Sequence, residues 1–372
     1  MKTLTVIVAV TYLLAAPASS ADFTAEKLIT AEKLISQSGL KEGPVAARDL
    51  PRWNGASKIL IVGRAGEAIE MLQATLPDTE LVVAGSESDA LAKVVDVEAI
   101  VGSCSGPLVE AAEKLVWIQI YWAGAERCLA VPRIASGDVM LTNMQKMSAP
   151  VIGEHAVAMA LALARGLPVF AKEMQSDTRQ ELYTPHSAMI SLTGKTMLVV
   201  GLGGIGTEAA RRGAALGMRV IGTRNSSRDG PPFVDYVGLS DELLQLAGKA
   251  DVIVNALPLT GATHGLLDAD FFDATKHGAL FVNVGRGATV DTGALVTAIQ
   301  DGQIAGAGLD VTDPEPLPAD HPLWQLDNVI ITPHVAGRGG ERDRHFTLLN
   351  ENLRRYAAGE RLLNVVDPAR GY

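Results

Sequence analysis

The chain has 372 residues, 48% of them hydrophobic and 20% charged, a composition that suits a globular protein with room for two ordinary domains. A formal charge of −10 argues against nucleic acid as a partner, because phosphate backbones are gripped by clustered Lys and Arg. Thirty-seven glycines with only 5% aromatics fit α/β sheets with tight strand-to-helix turns better than an all-β sandwich.

The N-terminus, MKTLTVIVAVTYLLAAPASSADF, places Lys2 before an apolar run from Leu4 to Ala16, with the small residues Ser19 and Ala21 ahead of Asp22. This is secretory signal grammar, with cleavage expected after Ala21. The run is shorter than the roughly 20 residues of a membrane span, so export is read ahead of an uncleaved tether. Residues 22–57 read as an N-terminal extension. They open with a tandem hexapeptide, Thr24 to Ile35, whose Leu28, Ile29, Leu34 and Ile35 can line a helix. Ser38 to Gly55, rich in Gly and Pro, reads as a linker.

From Lys58 short apolar strands alternate with helical stretches: KILIV, LVVAG, AIVGS and WIQIYW, which predicts parallel βαβ units. GRAGEA at Gly63 reads as a plain strand-to-helix turn. An apolar helix from Ile152 to about Phe170 reads as the link to a second alternation. That alternation runs KTMLVV, MRVIGT, DVIVNA, ALFVNV, IAGAGLDV and VIITPH, and a last helix follows from Arg342 to Ala358. The two cysteines, Cys104 and Cys128, lack metal-like spacing, so no metal site is expected. They read as unpaired residues of separate loops, with a bridge open to them in an oxidising compartment.

Directly after KTMLVV stands GLGGIG, with Gly201, Gly203 and Gly206 in G-x-G-x-x-G spacing and a helical stretch beyond. In that context it predicts a dinucleotide site. The first glycine makes the turn, the second admits the pyrophosphate, and the third lets helix and strand pack, with Gly204 and Ile205 opening the helix. The next strand ends at Thr223 and is followed by Arg224, Asn225 and Ser226, where an acidic residue would usually meet the ribose 2′-hydroxyl. A guanidinium there, with Arg228 close behind, favours NADP over NAD.

Three further segments carry a specific resemblance: VNVGRG around Arg286, GLDVTDPEPLP around Asp310 and Glu315, and HPLWQLDNVIITPHVAG ending in His334 and Gly337. From about Lys58 to Arg355 the chain resembles the D-isomer-specific 2-hydroxyacid dehydrogenases, nearest the glyoxylate and hydroxypyruvate reductases. The resemblance implies a two-domain α/β enzyme of doubly wound parallel sheets. A flavodoxin-like substrate domain would span 58–149 plus 336–372 and a Rossmann coenzyme domain 150–335, with the site between them. It also implies that Arg286, Glu315 and His334 are catalytic. The backbone N–H groups of Ala123 and Gly124 would hold the substrate carboxylate, and Asp310 would lie near the nicotinamide carboxamide. Leu257, Pro258 and Thr263 of NALPLTGATHG, with Val284, Gly285 and Gly337, would line the coenzyme site. Glu126 stands where the family more often has Asp. A homodimer is the family's usual form.

Chemistry supports these roles. Hydride transfer to a ketone builds negative charge on its oxygen, so the site needs a positioned acid and a fixed cation. An imidazole suits the first, a carboxylate beside it favours its charged form, and guanidinium forks a 2-oxo acid. His155, His186, His264, His277, His321 and His345 read as structural, and Trp122 and Trp324 as packing residues. The competing reading is an exported coenzyme-binding sensor or scaffold without turnover.

Overall fold

The computed structural model describes residues 28–63, 68–173, 189–340 and 342–372. The signal segment 1–21, most of the first hexapeptide, the centre of the Gly63 turn and His186 lie outside them. Two units divide the chain: residues up to Met147 together with the segment after Gly340, and Ser148–Gly340.

In the first unit, β1 (Glu42–Ala46) precedes a sheet of β2 (Lys58–Val62), β3 (Glu80–Ala84), β4 (Ala99–Val101), β5 (Trp117–Gln119) and β6 (Met140–Thr142). The sheet order is β3-β2-β4-β5-β6 and every pairing is parallel. That is the 2-1-3-4-5 order of flavodoxin-like sheets. The two-residue period of a strand divides the apolar residues between faces. Ile59, Ile61, Val101 and Trp117 enter one core with Leu349 and Leu353 of the helix Arg342–Ala357. Leu60, Ile100 and Ile118 enter the other with Leu108 and Ile134. Burial on both faces is why these strands read as continuous apolar runs.

The second unit holds β7 (Thr196–Val200), β8 (Arg219–Thr223), β9 (Tyr236–Gly238), β10 (Val252–Asn255), β11 (Ala279–Asn283), β12 (Ile304–Leu309) and β13 (Val329–Ile331). Their order is β13-β12-β11-β10-β7-β8-β9, all parallel, a Rossmann arrangement extended by one strand. Strand order reverses between β7 and β10, and ligands of such sheets bind beyond the strand C-termini at that point. The apolar stretch expected to link the domains is two helices, Ala149–Ala164 and Leu167–Glu173, with Gly166 left-handed at φ 64° between them. The first belongs wholly to this unit and packs on the helix Gly204–Ala215.

Two expectations need correction. Ser38–Gly55 is not a linker: β1 pairs antiparallel with β14 (Arg361–Leu363), and the Ala47 N–H donates to Glu360 O at 2.9 Å. The second hexapeptide copy forms the helix Ala31–Ser38, capped by Thr30 and ended by left-handed Gly39. Its Leu34 is buried in the first unit's core. Cys104 and Cys128 are not separate thiols: they are disulfide-bonded, with Cα atoms 5.4 Å apart. Cys104 follows β4 and Cys128 follows β5, and neighbouring parallel strands bring the loops at their C-terminal ends side by side.

Candidate active site

Chemistry in the second unit gathers at strand C-termini. The turn after β7 is shaped for close backbone approach. Gly201 has φ 93°, and a Cβ at Gly206 would lie 2.1 Å from the Gly201 carbonyl oxygen. Gly203, by contrast, faces open space at the start of the twelve-residue helix Gly204–Ala215, whose N–H groups favour an anion. At the end of β8 the Arg224 Nε is buried and has no hydrogen-bond partner among the described residues, beside exposed Asn225 and Ser226. Arg228 is otherwise engaged, 2.7 Å from Glu242 and 3.0 Å from the Tyr236 hydroxyl, so the cationic case at this turn rests on Arg224. The residues fit a phosphorylated dinucleotide.

Loops after β10 and β11 are locked by buried amides. Asn255 Nδ2 donates to Asn283 Oδ1 and Thr289 Oγ1 at 3.0 and 2.8 Å, and Asn283 Oδ1 accepts the Gly285 N–H at 3.0 Å. Leu257, Pro258 and Thr263 share one loop, where the Thr263 hydroxyl donates to Pro258 O at 2.6 Å. The carbonyl of Arg286 accepts from Asn283 Nδ2 and Thr289 Oγ1, which fixes where that side chain starts. Gly287 explains its proximity to the next loop, because any Cβ there would meet Thr312 O at 1.9 Å.

Three residues beyond Thr312, Glu315 Oε1 accepts a hydrogen bond from His334 Nδ1 at 2.8 Å. A carboxylate can only accept, so Nδ1 carries the proton of this bond and Nε2 takes no part in it. Burial pushes the Glu315 carboxyl up, but the His334 hydrogen bond and charge, a Thr312 N–H and the Arg286 charge together outweigh it. The group is held below its ordinary value. Arg286, Glu315 and His334 thus form one electrostatic group.

His334 is left-handed at φ 52°, a conformation that costs a non-glycine residue roughly 1 kcal/mol or more and persists only where neighbours enforce it. Asp310 enforces it. Its carbonyl accepts the His334 N–H at 2.8 Å, and its buried carboxylate accepts Val335 N at 2.9 Å, Ala336 N at 3.0 Å and the Thr332 hydroxyl at 2.6 Å. Three of about four acceptor positions are filled, leaving room for one more donor. Sequence reasoning missed Thr332, and missed His155, whose Nε2 lies 3.0 Å from Thr332 Oγ1. The signal was an imidazole that, with its neighbour Glu154, interrupts a mostly apolar helix.

Ala123 and Gly124 lie in the first unit, in the loop after β5. Among the described residues no partner accepts from their N–H groups, while buried Asn143 donates to Ala123 O at 2.7 Å and Met144 N to Trp122 O at 3.0 Å. These peptides are held by their carbonyls with their donors unused. Gly337, at the end of the His334 loop, is exposed.

A Rossmann sheet with this glycine turn marks dinucleotide-dependent enzymes as a class. Comparison with known proteins narrows it. The model of the D-isomer specific 2-hydroxyacid dehydrogenase NAD binding domain matches residues 157–336. The glyoxylate reductase of Korarchaeum cryptofilum is 31% identical over 291 residues, covering 76% of this chain and 86% of that one. The D-3-phosphoglycerate dehydrogenase of Methanocaldococcus jannaschii is 30% identical over 323 residues, 83% of this chain but 59% of its own. Among solved structures, a D-isomer specific 2-hydroxyacid dehydrogenase from Xanthobacter autotrophicus Py2, in complex with NADPH and MES, superposes with TM-score 0.73 at 28% identity. It covers 86% of this chain and all of that one. An NADPH-dependent glyoxylate/hydroxypyruvate reductase from Sinorhizobium meliloti, in complex with NADP and sulfate, gives 0.72 at 25% identity, covering 85% of this chain and all of that one. The chain belongs to the D-isomer-specific 2-hydroxyacid dehydrogenases, NAD(P)-dependent oxidoreductases acting on small 2-oxo and 2-hydroxy acids.

Proposed function

We propose that this enzyme reduces a small 2-oxo acid of the glyoxylate or hydroxypyruvate type to its D-2-hydroxy acid, with NADPH preferred over NADH. The observation that carries the reading is the His334 Nδ1–Glu315 Oε1 hydrogen bond, which supports Nε2 as the nitrogen that exchanges a proton. When bound, the nicotinamide supplies the hydride. Everything else falls to this chain. Arg286 pairs with the substrate carboxylate and the charge growing on the carbonyl oxygen, and His334 Nε2 delivers the proton that turns that oxygen into a hydroxyl. Ionised Glu315 stabilises the imidazolium before transfer and orients the ring afterwards.

The buried, unpartnered Arg224 Nε supports the 2′-phosphate preference, since a guanidinium recognises phosphate by paired donors. Export through residues 1–21 belongs to the same proposal, and the Cys104–Cys128 bridge supports it because such bonds persist in oxidising compartments. The Glu315–His334 pair weighs against a coenzyme sensor, which has no need of a proton donor.

The test follows loss of reduced-nicotinamide absorbance by protein lacking residues 1–21, with NADPH and NADH each offered glyoxylate, hydroxypyruvate, pyruvate and bulkier 2-oxo acids. Turnover of the small acids that vanishes in His334→Ala is the expected result. Tight coenzyme binding with no turnover on any acid would overturn the proposal.

A further inference from the structure

We propose that His155 is a positioning residue for the proton donor, acting on His334 through Thr332 and Asp310. This rests on the reading of His334 as the acid. Proton count sets the direction of each bond. Thr332 has a single hydroxyl proton, and Asp310, a carboxylate that only accepts, takes it at 2.6 Å. Toward His155 the hydroxyl must therefore accept, so His155 Nε2 carries a proton and donates it over 3.0 Å. His155 Nε2 lies 3.7 Å from Asp310 Oδ1, too far for a hydrogen bond of its own. The chain of donors therefore runs His155 to Thr332 to Asp310, and ends on the carboxylate that ties down the residues on either side of His334.

Each link has a mechanical consequence. A threonine hydroxyl rotates freely, and unless a donor occupies its lone pair it has other acceptors to visit. The His155 N–H fixes the rotor with its proton on Asp310. Asp310, so held, keeps its oxygens on Val335 N and Ala336 N while its carbonyl keeps the His334 N–H. Those contacts maintain the left-handed backbone at His334 and hence the direction of Nε2. His155 is itself anchored in the helix Ala149–Ala164, a rigid element packed into the second unit, so the loop takes its orientation from a helix. Folding alone does not ask for an imidazole here, since the residues a turn away on either side are Val151, Ile152, Ala158 and Met159.

The experiment compares His155→Leu, His155→Gln, Thr332→Val and Thr332→Ser in the full soluble enzyme. The Gln amide nitrogen reaches about where Nε2 stood, and Ser keeps the hydroxyl. The expected result is a kcat for hydroxypyruvate reduced roughly tenfold or more in the Leu and Val variants, with KM and NADPH affinity unchanged, and recovery in the Gln and Ser variants. Imidazole ¹⁵N NMR gives a readout independent of turnover: the His334 ring resonances should move in His155→Leu and return in His155→Gln. Wild-type kcat and unmoved His334 resonances in His155→Leu would overturn the inference, as would equal losses in Leu and Gln. Absence of turnover in the unaltered enzyme would instead strike the proposed function, leaving the NMR arm to judge the relay.

Discussion

The two units carry their candidate site groups in different chemical forms. In the second they are side chains: Arg286, Glu315, His334 and Arg224 all stand at or beyond strand ends. In the first they are the peptide N–H groups of Ala123 and Gly124, which find no acceptor among the described residues, and the buried polar side chains turn to one another. Trp117 Nε1 donates to Thr142 Oγ1, Thr142 Oγ1 to Gln119 Oε1, and Asn352 Nδ2 to the same oxygen, all buried. A disulfide fastens the loop that carries those peptides. Functions performed by side chains leave motifs in a sequence, whereas functions performed by backbone leave only a requirement for shape.

Substitutions can break or sharpen this contrast. The largest effect belongs to His334→Ala, which should lower kcat roughly a thousandfold while NADPH affinity holds, measured by turnover and fluorescence titration. Glu315→Gln should lower kcat about tenfold to a hundredfold while NADPH affinity holds, measured by turnover and titration. Glu315, held below its ordinary value, stays an ionised acceptor for His334 Nδ1 at neutral pH and loses that charge only as the pH falls through the lowered value. An unchanged kcat would detach Glu315 from the acid. Arg224→Ser should weaken NADPH relative to NADH by about tenfold in kcat/KM, leaving the NADH rate near its original value. The smallest effect on turnover is expected of the Cys104→Ala/Cys128→Ala double variant. The bridge closes a separation of 24 residues, which by loop entropy is worth about 3–4 kcal/mol of stability. Calorimetry should show the loss while kcat stays put. A collapse in kcat would mean that turnover depends on the loop after β5 being held in place.

Most of the doubly wound sheets was legible because doubly buried strands such as KILIV and KTMLVV are uninterrupted apolar runs closed by glycine. β1, β6, β9 and β14 were not. EGPVA carries a glycine and a proline, and MLT, YVG and RLL are three residues each with polar or charged neighbours in place of a longer apolar run. Arg286, Glu315 and His334 were legible through their segments, and the geometry adds which imidazole nitrogen faces Glu315. Asn143, Thr332 and His155 act across gaps of 20 to 177 residues, and nothing local in the chain signals partners so far away. The cysteine bridge was hidden for the same reason, since only the β4–β5 pairing shows that the two loops meet.

The pairing of β1 with β14 sets a timetable for synthesis. Ser148–Gly340 is one continuous stretch and has all its strands once Gly340 is made. The unit that begins first must wait: Glu42 has its partner only when Leu363 is made, and Leu34 packs beside a helix that starts at Arg342. The earlier-made half of the chain is therefore the later to close, and a ribosome stalled short of β14 would display one finished unit beside one still open.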